Sequence, residues 1–213
     1  MQPGLPLSLT INVSQLTNCQ TAPFTGAFID LWHCNALGVY SDVGMQSSTG
    51  RKYLRGYQAT NRPGNVYFLT IYPGWYQGRT VHIHFKIRTF NGLDQSYEFT
   101  SQFFMDEAFT DEVYKLSPYN TRGSRDTRNT SDGIYNGASS TGTAITANSG
   151  SYLMLATRMR EGWAEADGKV VLDLSLGSSP DLTGPEGGAG GPGGPGGGPG
   201  GPGGPPPNTP PGG

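Results

Sequence analysis

Apolar and polar residues alternate in short stretches along most of the chain. Strand-like runs lie at residues 26–33, 65–72, 80–90, 96–105, 152–159 and 169–176. Turn-forming clusters separate them, at residues 61–64, 90–92 and 166–168. The only helical signal is a short one at residues 106–115, and the polar stretch 121–151 is long for a loop. The pattern predicts an all-β fold, an antiparallel or mixed β-sandwich with long loops.

The most regular alternation is the run at residues 80–90. Its apolar positions are Val81, Ile83, Phe85 and Ile87, and its polar positions are His82, His84, Lys86 and Arg88. Successive side chains of a strand point to opposite faces, so the apolar face should pack into the sandwich and the polar face should line a cleft or solvent. His82 and His84 would then lie side by side, ~6.8 Å apart along the strand.

Two histidines on one strand face are a common way to give one metal ion two imidazole ligands. A pair of solvated or hydrogen-bonded histidines is an equally open interpretation. Directly upstream, a Pro73–Gly74 turn would hold Tyr76 and Arg79 at the rim of the same face. For the aromatic residues of this segment, ordinary packing is the simpler expectation.

The composition describes two different parts of the chain. Of the 34 glycines and 17 prolines, 16 glycines and 10 prolines fall in residues 184–213. We therefore predict a folded domain at residues 1–183 and a disordered Gly/Pro-rich linker or tail at residues 184–213. No apolar run approaches the ~18 residues of a membrane-spanning helix, so we expect no membrane partner.

The charges and cysteines bound the partners and the compartment. Lys and Arg number 14 and Asp and Glu 16, with no basic stripe, so nucleic acid is not an expected partner. Cys19 and Cys34 are either two free thiols or one disulfide. The low charge, the tail and the paired cysteines favour a secreted, extracellular protein.

Two long motifs resemble those of a known family. Residues 72–84, Tyr-Pro-Gly-Trp-Tyr-Gln-Gly-Arg-Thr-Val-His-Ile-His, resemble the core motif of the intradiol ring-cleavage dioxygenases, the family of catechol and protocatechuate dioxygenases. Residues 26–41 are similar to the family's other signature, which ends in its first tyrosine ligand. Residues 53–58 and 100–104 also match, so the resemblance spans residues 5–176.

The resemblance implies a cofactor and a set of site residues. It implies Fe(III), with the four protein ligands falling on Tyr40, Tyr76, His82 and His84. The arginine beside the substrate falls on Arg79, and a glutamine near the substrate ring falls on Gln102. Two tyrosinates and a hydroxide balance three positive charges, which favours ferric over ferrous iron.

The resemblance also implies an activity. Catechols would be cleaved with O₂ to cis,cis-muconate-type products, with Tyr40 displaced by the substrate and acting as a base. Arg79 would stabilise negative charge on the ring. The expected partners are small-molecule catechols and O₂. Protocatechuate would need a cation for its carboxylate; Arg51, Lys52 and Arg55 are candidates, but solvated loop charges are the simpler interpretation, so unsubstituted, substituted or lignin-derived catechols come first.

The family comparison bears on assembly as well. Cys19 suits the secreted, single-domain branch, in which a disulfide at this place is expected. The helical N-terminal region through which the cytoplasmic catechol enzymes dimerise has no counterpart, so we expect a monomer. The tail is a candidate linker to a C-terminal carbohydrate-binding module.

Two alternatives remain open from the residues alone. A non-catalytic aromatic- or carbohydrate-binding β-sandwich module could use an aromatic rim for stacking, formed by Trp32, Tyr72, Trp75 and Tyr76. A ferrous or zinc site could combine His82 and His84 with an unidentified carboxylate.

Overall fold

The computed structural model describes residues 2–91, 94–137 and 149–172. They form nine strands: β1 (Pro6–Thr17), β2 (Gln20–Pro23), β3 (Phe28–Trp32), β4 (Arg55–Ala59), β5 (Asn65–Ile71), β6 (His82–Asn91), β7 (Asp94–Phe104), β8 (Ala156–Arg160) and β9 (Trp163–Leu172). One helix, α1 (Glu107–Val113), follows β7. The predicted all-β fold is confirmed. The predicted tail, residues 184–213, lies outside the described residues.

The strands form two sheets. The first has the order β2-β1-β9-β8, with β5 also paired to β1, and the second has the order β4-β3-β6-β7. All pairings are antiparallel except that of β1 with β9, which is parallel. The first sheet is therefore mixed and the second antiparallel.

The core lies between the two sheets and follows from their alternation. β1 contributes every second residue, Leu7, Leu9, Ile11 and Val13, each fully buried. β6 contributes Ile83, Phe85 and Ile87, as its pattern predicts, and β3 and β7 add Ile29 and Phe103. Burial of these side chains is the main favourable term for the fold, at roughly 1.5–3 kcal/mol for each large one.

One predicted turn is a strand instead. Residues 166–168 lie within β9, where Gly168 pairs with Ile11 of β1. A Cβ at Gly168 would lie 2.9 Å from Leu155 Cδ2 and 3.0 Å from Phe103 Cε1. The glycine is there because the core leaves no room for a side chain.

The other predicted strands coincide with strands at shifted bounds. The run 152–159, however, begins in a 3₁₀ helix, Ser149–Leu153, and Phe90 and Asn91 of the predicted turn 90–92 lie in β6.

The predicted helix and the predicted turn at residues 61–64 hold. The helical signal at residues 106–115 becomes α1, whose first turn is capped by the Asp106 carboxylate accepting from Phe109 N at 2.7 Å. The turn at residues 61–64 ends in Gly64 with φ of 78°. No helix among the described residues is long and apolar enough to cross a membrane.

Candidate active site

The first residues of β6 place two imidazoles on the outer face of the second sheet. His82 and His84 are only 2% and 3% exposed, whereas the sequence pattern predicted a face open to a cleft or solvent. Loops that carry Tyr40 and Tyr76 lie against this face. The histidines are therefore buried between the sheet and these loops.

Two turns that pack on each other carry the tyrosines. The turn before Tyr40 and the Pro73–Gly74 turn before Tyr76 are joined where Gly74 N donates to Asn35 O at 3.1 Å. The Cys34 thiol donates to Gly74 O at 3.3 Å. Arg122 binds both turns through Leu37 O and Trp75 O and lies over the Trp75 ring. These contacts fix the separation of the two phenols.

The four predicted ligands meet around one imidazole nitrogen. Nε2 of His82 lies 3.3 Å from Tyr40 Oη, 3.2 Å from Tyr76 Oη and 3.1 Å from His84 Nε2. Two phenol oxygens and two imidazole nitrogens from three separate segments therefore share one buried position. The structure thus brings together the four residues that were predicted as ligands, Tyr40, Tyr76, His82 and His84.

The histidines are held as neutral bases. His82 Nδ1 lies 2.6 Å from Thr80 O, and because a carbonyl only accepts, this nitrogen carries the proton and leaves a lone pair on Nε2. Burial, followed by the neighbouring Arg79 charge, holds the pKa of His82 well below its usual range. Burial, followed by the neighbouring His82, does the same for the pKa of His84. Both rings are uncharged at neutral pH.

The Tyr76 phenol is also uncharged in this environment. Burial raises its pKa to about 12, partly opposed by the Arg79 charge. A phenolate at this position therefore needs a cation beyond those of the protein. A metal site meets this requirement, because a bound cation lowers the pKa of an acidic ligand whereas burial raises it.

The donor set fits ferric iron. Phenolate oxygens are hard, anionic donors that match a trivalent ion, and the neutral imidazoles complete the site without adding charge. Among the described residues no group of three His, Cys, Asp or Glu side chains could hold a metal. The ferrous or zinc alternative, which needs a carboxylate beside His82 and His84, finds no support in this part of the chain.

Arg79 lies beside the four donors and is 5% exposed. Its Nε donates to Asp132 Oδ2 at 2.8 Å, and its Nη2 donates to Gln102 Oε1 at 2.5 Å. Nη1 lies 3.5 Å from Tyr76 Oη. Burial opposes the charge of Arg79, but Tyr76 and Asp132 outweigh it and raise the pKa of the guanidinium. A permanent positive charge therefore sits at the edge of the donor cluster.

Gln102 connects Arg79 to the histidines. It pairs with His84 across the β6–β7 ladder, and its Nε2 lies 3.5 Å from His84 Nδ1. At 1% exposure it is fully buried. The placement of this glutamine beside the site matches the position that the family resemblance implied.

The proposed aromatic rim is not an exposed stacking surface. Tyr72 is 0% exposed and its hydroxyl pairs with Thr110 Oγ1 at 2.7 Å, so it belongs to the core. Trp32 stacks on His84, with ring centroids 5.0 Å apart and planes 7° from parallel. Trp75 is covered by Arg122. These rings support the site and do not form a platform for a sugar.

Of the two alternatives for the cysteines, the structure has the free thiols: Cys19 and Cys34 are not bonded, so the disulfide that the resemblance implied is not formed. Cys19 lies in the exposed turn between β1 and β2, whereas Cys34 is buried against Gly74, beside the start of β1. The length of β1, on the order of 40 Å for its twelve residues, separates these regions. Sequence separation alone did not reveal that a long strand lies between them.

Asp132 is the site residue that sequence reasoning missed. It lies 53 positions after Arg79, in the polar stretch 121–151, and is 1% exposed. Nothing in the composition of that stretch distinguishes this carboxylate from its neighbours. Only its length, unusual for a loop without function, hinted at a role.

Comparisons with known proteins indicate the same family as the residues of the site. A family model described as Dioxygenase matches residues 1–115, more than half of the chain. No curated protein matches this chain. An intradiol ring-cleavage dioxygenase from Tetranychus urticae is 28% identical, with a TM-score of 0.67 over 81% of this chain and 82% of that chain.

Two further solved structures share the fold at lower identity. The dioxygenase domain of a dioxygenase carbohydrate-binding protein fusion from Streptomyces sp. SirexAA-E is 24% identical, with a TM-score of 0.50 over 81% of this chain and 82% of that chain. The 3-chlorocatechol 1,2-dioxygenase from Rhodococcus opacus 1CP is 18% identical, with a TM-score of 0.54 over 81% of this chain and 60% of that chain. By its family match, with its fold and site in agreement, this chain belongs to the intradiol ring-cleavage dioxygenases.

Proposed function

We propose that the protein is a non-haem Fe(III)-dependent intradiol dioxygenase that cleaves catechol-type rings with O₂ to cis,cis-muconate-type products. The observation that carries this proposal is the meeting of Tyr40 Oη, Tyr76 Oη and His84 Nε2 within 3.3 Å of His82 Nε2. Tyr40, Tyr76, His82 and His84 would hold the iron. When bound, ferric iron would supply the Lewis acidity that lets a catechol dianion react with O₂.

The residues around the donors would bind and orient the substrate. Tyr40 Oη is the base that we expect to take up a catechol proton, because as the tyrosinate that a bound cation would favour it can accept a proton within reach of the shared position. Arg79 would hold a fixed positive charge where negative charge develops on the ring. Stacking of Trp32 on His84 would fix the imidazole plane and exclude water from that side.

The test is iron binding and turnover after removal of one phenol oxygen. Tyr76→Phe should lose the visible tyrosinate-to-iron absorption and nearly all muconate formation, while the protein stays folded, because the ring still fills its place. Tyr152→Phe is the matched control, since Tyr152 is 81% exposed. It should keep the wild-type colour, iron content and rate. Wild-type protein that stays colourless and iron-free after metal loading would refute the proposal.

For the substrate, we propose catechols without a carboxylate. Arg51 and Lys52 are exposed, and Arg55 donates from Nε to Ser41 Oγ at 2.9 Å and from Nη2 to Ser41 O at 3.0 Å. Neither arrangement favours a buried carboxylate pocket. Rates with catechol, protocatechuate and hydroxyquinol, followed as ring-cleavage product, should be highest for catechol; a preference for protocatechuate would contradict this assignment.

We further propose that the enzyme works as a monomer outside the cell. Its low fraction of charged residues, 14%, supports an extracellular location. The Gly/Pro-rich composition of residues 184–213, which resembles a linker, supports it as well. Gel filtration of the full chain should give the monomer mass. Fractionation of the producing cells should find the protein in the medium.

A further inference from the structure

The buried carboxylate of Asp132 is surrounded by hydrogen-bond donors. Its Oδ2 accepts from Arg79 Nε at 2.8 Å and from Thr80 N at 2.9 Å. Its Oδ1 accepts from Tyr135 N at 2.9 Å. All three partners are N–H groups, so both oxygens must accept. Of the side chains of this shape, only a carboxylate satisfies all three.

Asp132 and Gln102 together fix the guanidinium of Arg79. Asp132 holds the Nε edge and Gln102 Oε1 holds Nη2, so two separate points set both the position and the rotation of a planar group. The remaining nitrogen, Nη1, is left facing Tyr76 Oη. The orientation of Arg79 toward the site therefore depends on these two partners.

The same carboxylate also reaches the histidine strand. Thr80 N donates to Asp132, and Thr80 O accepts the His82 Nδ1 proton at 2.6 Å. The Thr80 hydroxyl donates to Asn129 Oδ1 at 2.5 Å, three residues before Asp132. One polar segment thus holds both the arginine and the backbone that sets the tautomer of His82.

We propose that Asp132 is a positioning residue for the reaction, one that aims Arg79 at the substrate ring. This inference rests on the proposed function. The charge of Asp132 alone predicts the opposite result. Loss of the negative carboxylate would leave a stronger positive field beside the substrate and so favour the reaction. The proposal therefore states that the orientation of Arg79 matters more for turnover than its net field.

Asp132→Asn tests this with almost no change of shape. The amide must turn one N–H toward a donor, either toward Arg79 Nε and Thr80 N or toward Tyr135 N. We expect kcat for catechol to fall about 10–100-fold with KM changed less than threefold, and with the iron content and visible absorption retained. Unchanged or raised kcat would overturn the proposal.

The matched control is Asp126→Asn. Asp126 lies on the same segment and accepts from Gly78 N at 3.1 Å, next to Arg79 in sequence, but it is exposed and does not bind the guanidinium. This variant should keep the wild-type kcat. An equal loss in both variants would assign the effect to the loop and overturn the specific role of Asp132.

Arg79→Lys tests orientation if Asp132→Asn does not fold. Lysine keeps the charge but has no Nε donor and no planar fork, so Asp132 and Gln102 cannot orient it. We expect kcat for catechol to fall about 10–100-fold, as for Asp132→Asn. Near wild-type kcat in Arg79→Lys would mean that charge alone is sufficient, against the proposal.

A measurement on metal-free protein separates this inference from the proposed function. In urea unfolding, Arg79→Met and Asp132→Asn should each raise the unfolding equilibrium constant. The double variant should raise it at least tenfold less than the product of the two single effects. Additive effects would overturn the coupling of the two side chains. A wild-type enzyme that is inactive on catechols would instead refute the proposed function and leave this coupling measurable.

Discussion

Burial keeps several ionisable side chains of this protein uncharged. His33 is 1% exposed, with Nδ1 donating to Cys34 O at 2.8 Å and Nε2 accepting from the Thr70 hydroxyl at 2.8 Å. Burial lowers the pKa of His33 from 6.5 to about 4, opposed in part by the Cys34 carbonyl. His33 is not among the four candidate ligands. Its neutral ring joins the segment after β3 to Thr70 of β5.

The lowered pKa of His33 predicts acid sensitivity. Between pH 6.5 and about 4 the unfolded chain binds a proton that the folded protein does not, so the free energy of unfolding falls as pH falls through this window. His33 alone should remove about 3 kcal/mol by the lower limit. His33→Asn keeps a donor for Cys34 O and lacks the titration. Urea unfolding at pH 7 and 4.5 should show a smaller loss for the variant, and equal losses would contradict the assignment.

At the scale of residues, a sequence motif identifies part of the site, and the rest is visible only in the folded structure. Tyr76, Arg79 and the histidines lie within nine positions, so one motif contains them all. Asp132 acts on Arg79 from 53 positions away and belongs to no periodic pattern. A contact between distant loops leaves no trace in a single sequence, because either of the two carboxylates in the stretch, Asp126 or Asp132, could have made it.

At the scale of elements, the packing of the two tyrosine turns limits what each can contain. Gly74 lies so close to the other turn that a Cβ would lie 2.5 Å from Asn35 O and still closer to Ala36 O. Backbone atoms cannot yield as a flexible side chain would. The two turns can approach this closely only with glycine at this position.

Gly74→Ala should therefore push the turns apart. We expect a loss of about 1–3 kcal/mol in the free energy of unfolding, and weaker iron binding because Tyr40 and Tyr76 no longer share one position. Gly56→Ala is the control, since a Cβ at Gly56 meets nothing within 4 Å. Thermal unfolding and iron titration of both variants test this; iron affinity equal to that of the wild type in Gly74→Ala would contradict it.

Two strands that sequence analysis missed differ in the signal that their residues carry. β1 was not predicted, although Leu5, Leu7, Leu9, Ile11 and Val13 alternate in the pattern of a strand. This alternation is a strand signal that the sequence alone contains. β4 is different, because all five of its residues are exposed and its strand conformation comes from pairing with β3 alone. Such an edge strand has no hydrophobic pattern to detect.

At the scale of the whole molecule, β1 joins most of the first sheet. It pairs with β5 and β2 along one edge and with β9 along the other. Its inward face fills the centre of the core. The stability of the sheet should therefore depend strongly on this strand.

Leu9→Ala measures that dependence. Leu9 is 0% exposed, and its truncation should cost about 2–5 kcal/mol of unfolding free energy through lost burial and the cavity left behind. Leu69→Ala, on the neighbouring strand β5, removes the same atoms from a side chain that is 68% exposed, and should cost less than about 0.5 kcal/mol. Urea unfolding compares the two, and similar losses would count against a central role for β1.

The parallel pairing of β1 with β9 also decides where the chain leaves the sheet. Leu7 pairs with Ala164 near the level of the tyrosine turns, and Leu172 pairs with Gln15 eight residues further along. At ~3.3 Å per residue, the end of β9 is on the order of 26 Å from that level. A fusion partner attached after Leu172 would therefore begin on the order of 26 Å from the level of the two tyrosine turns, away from the four candidate ligands.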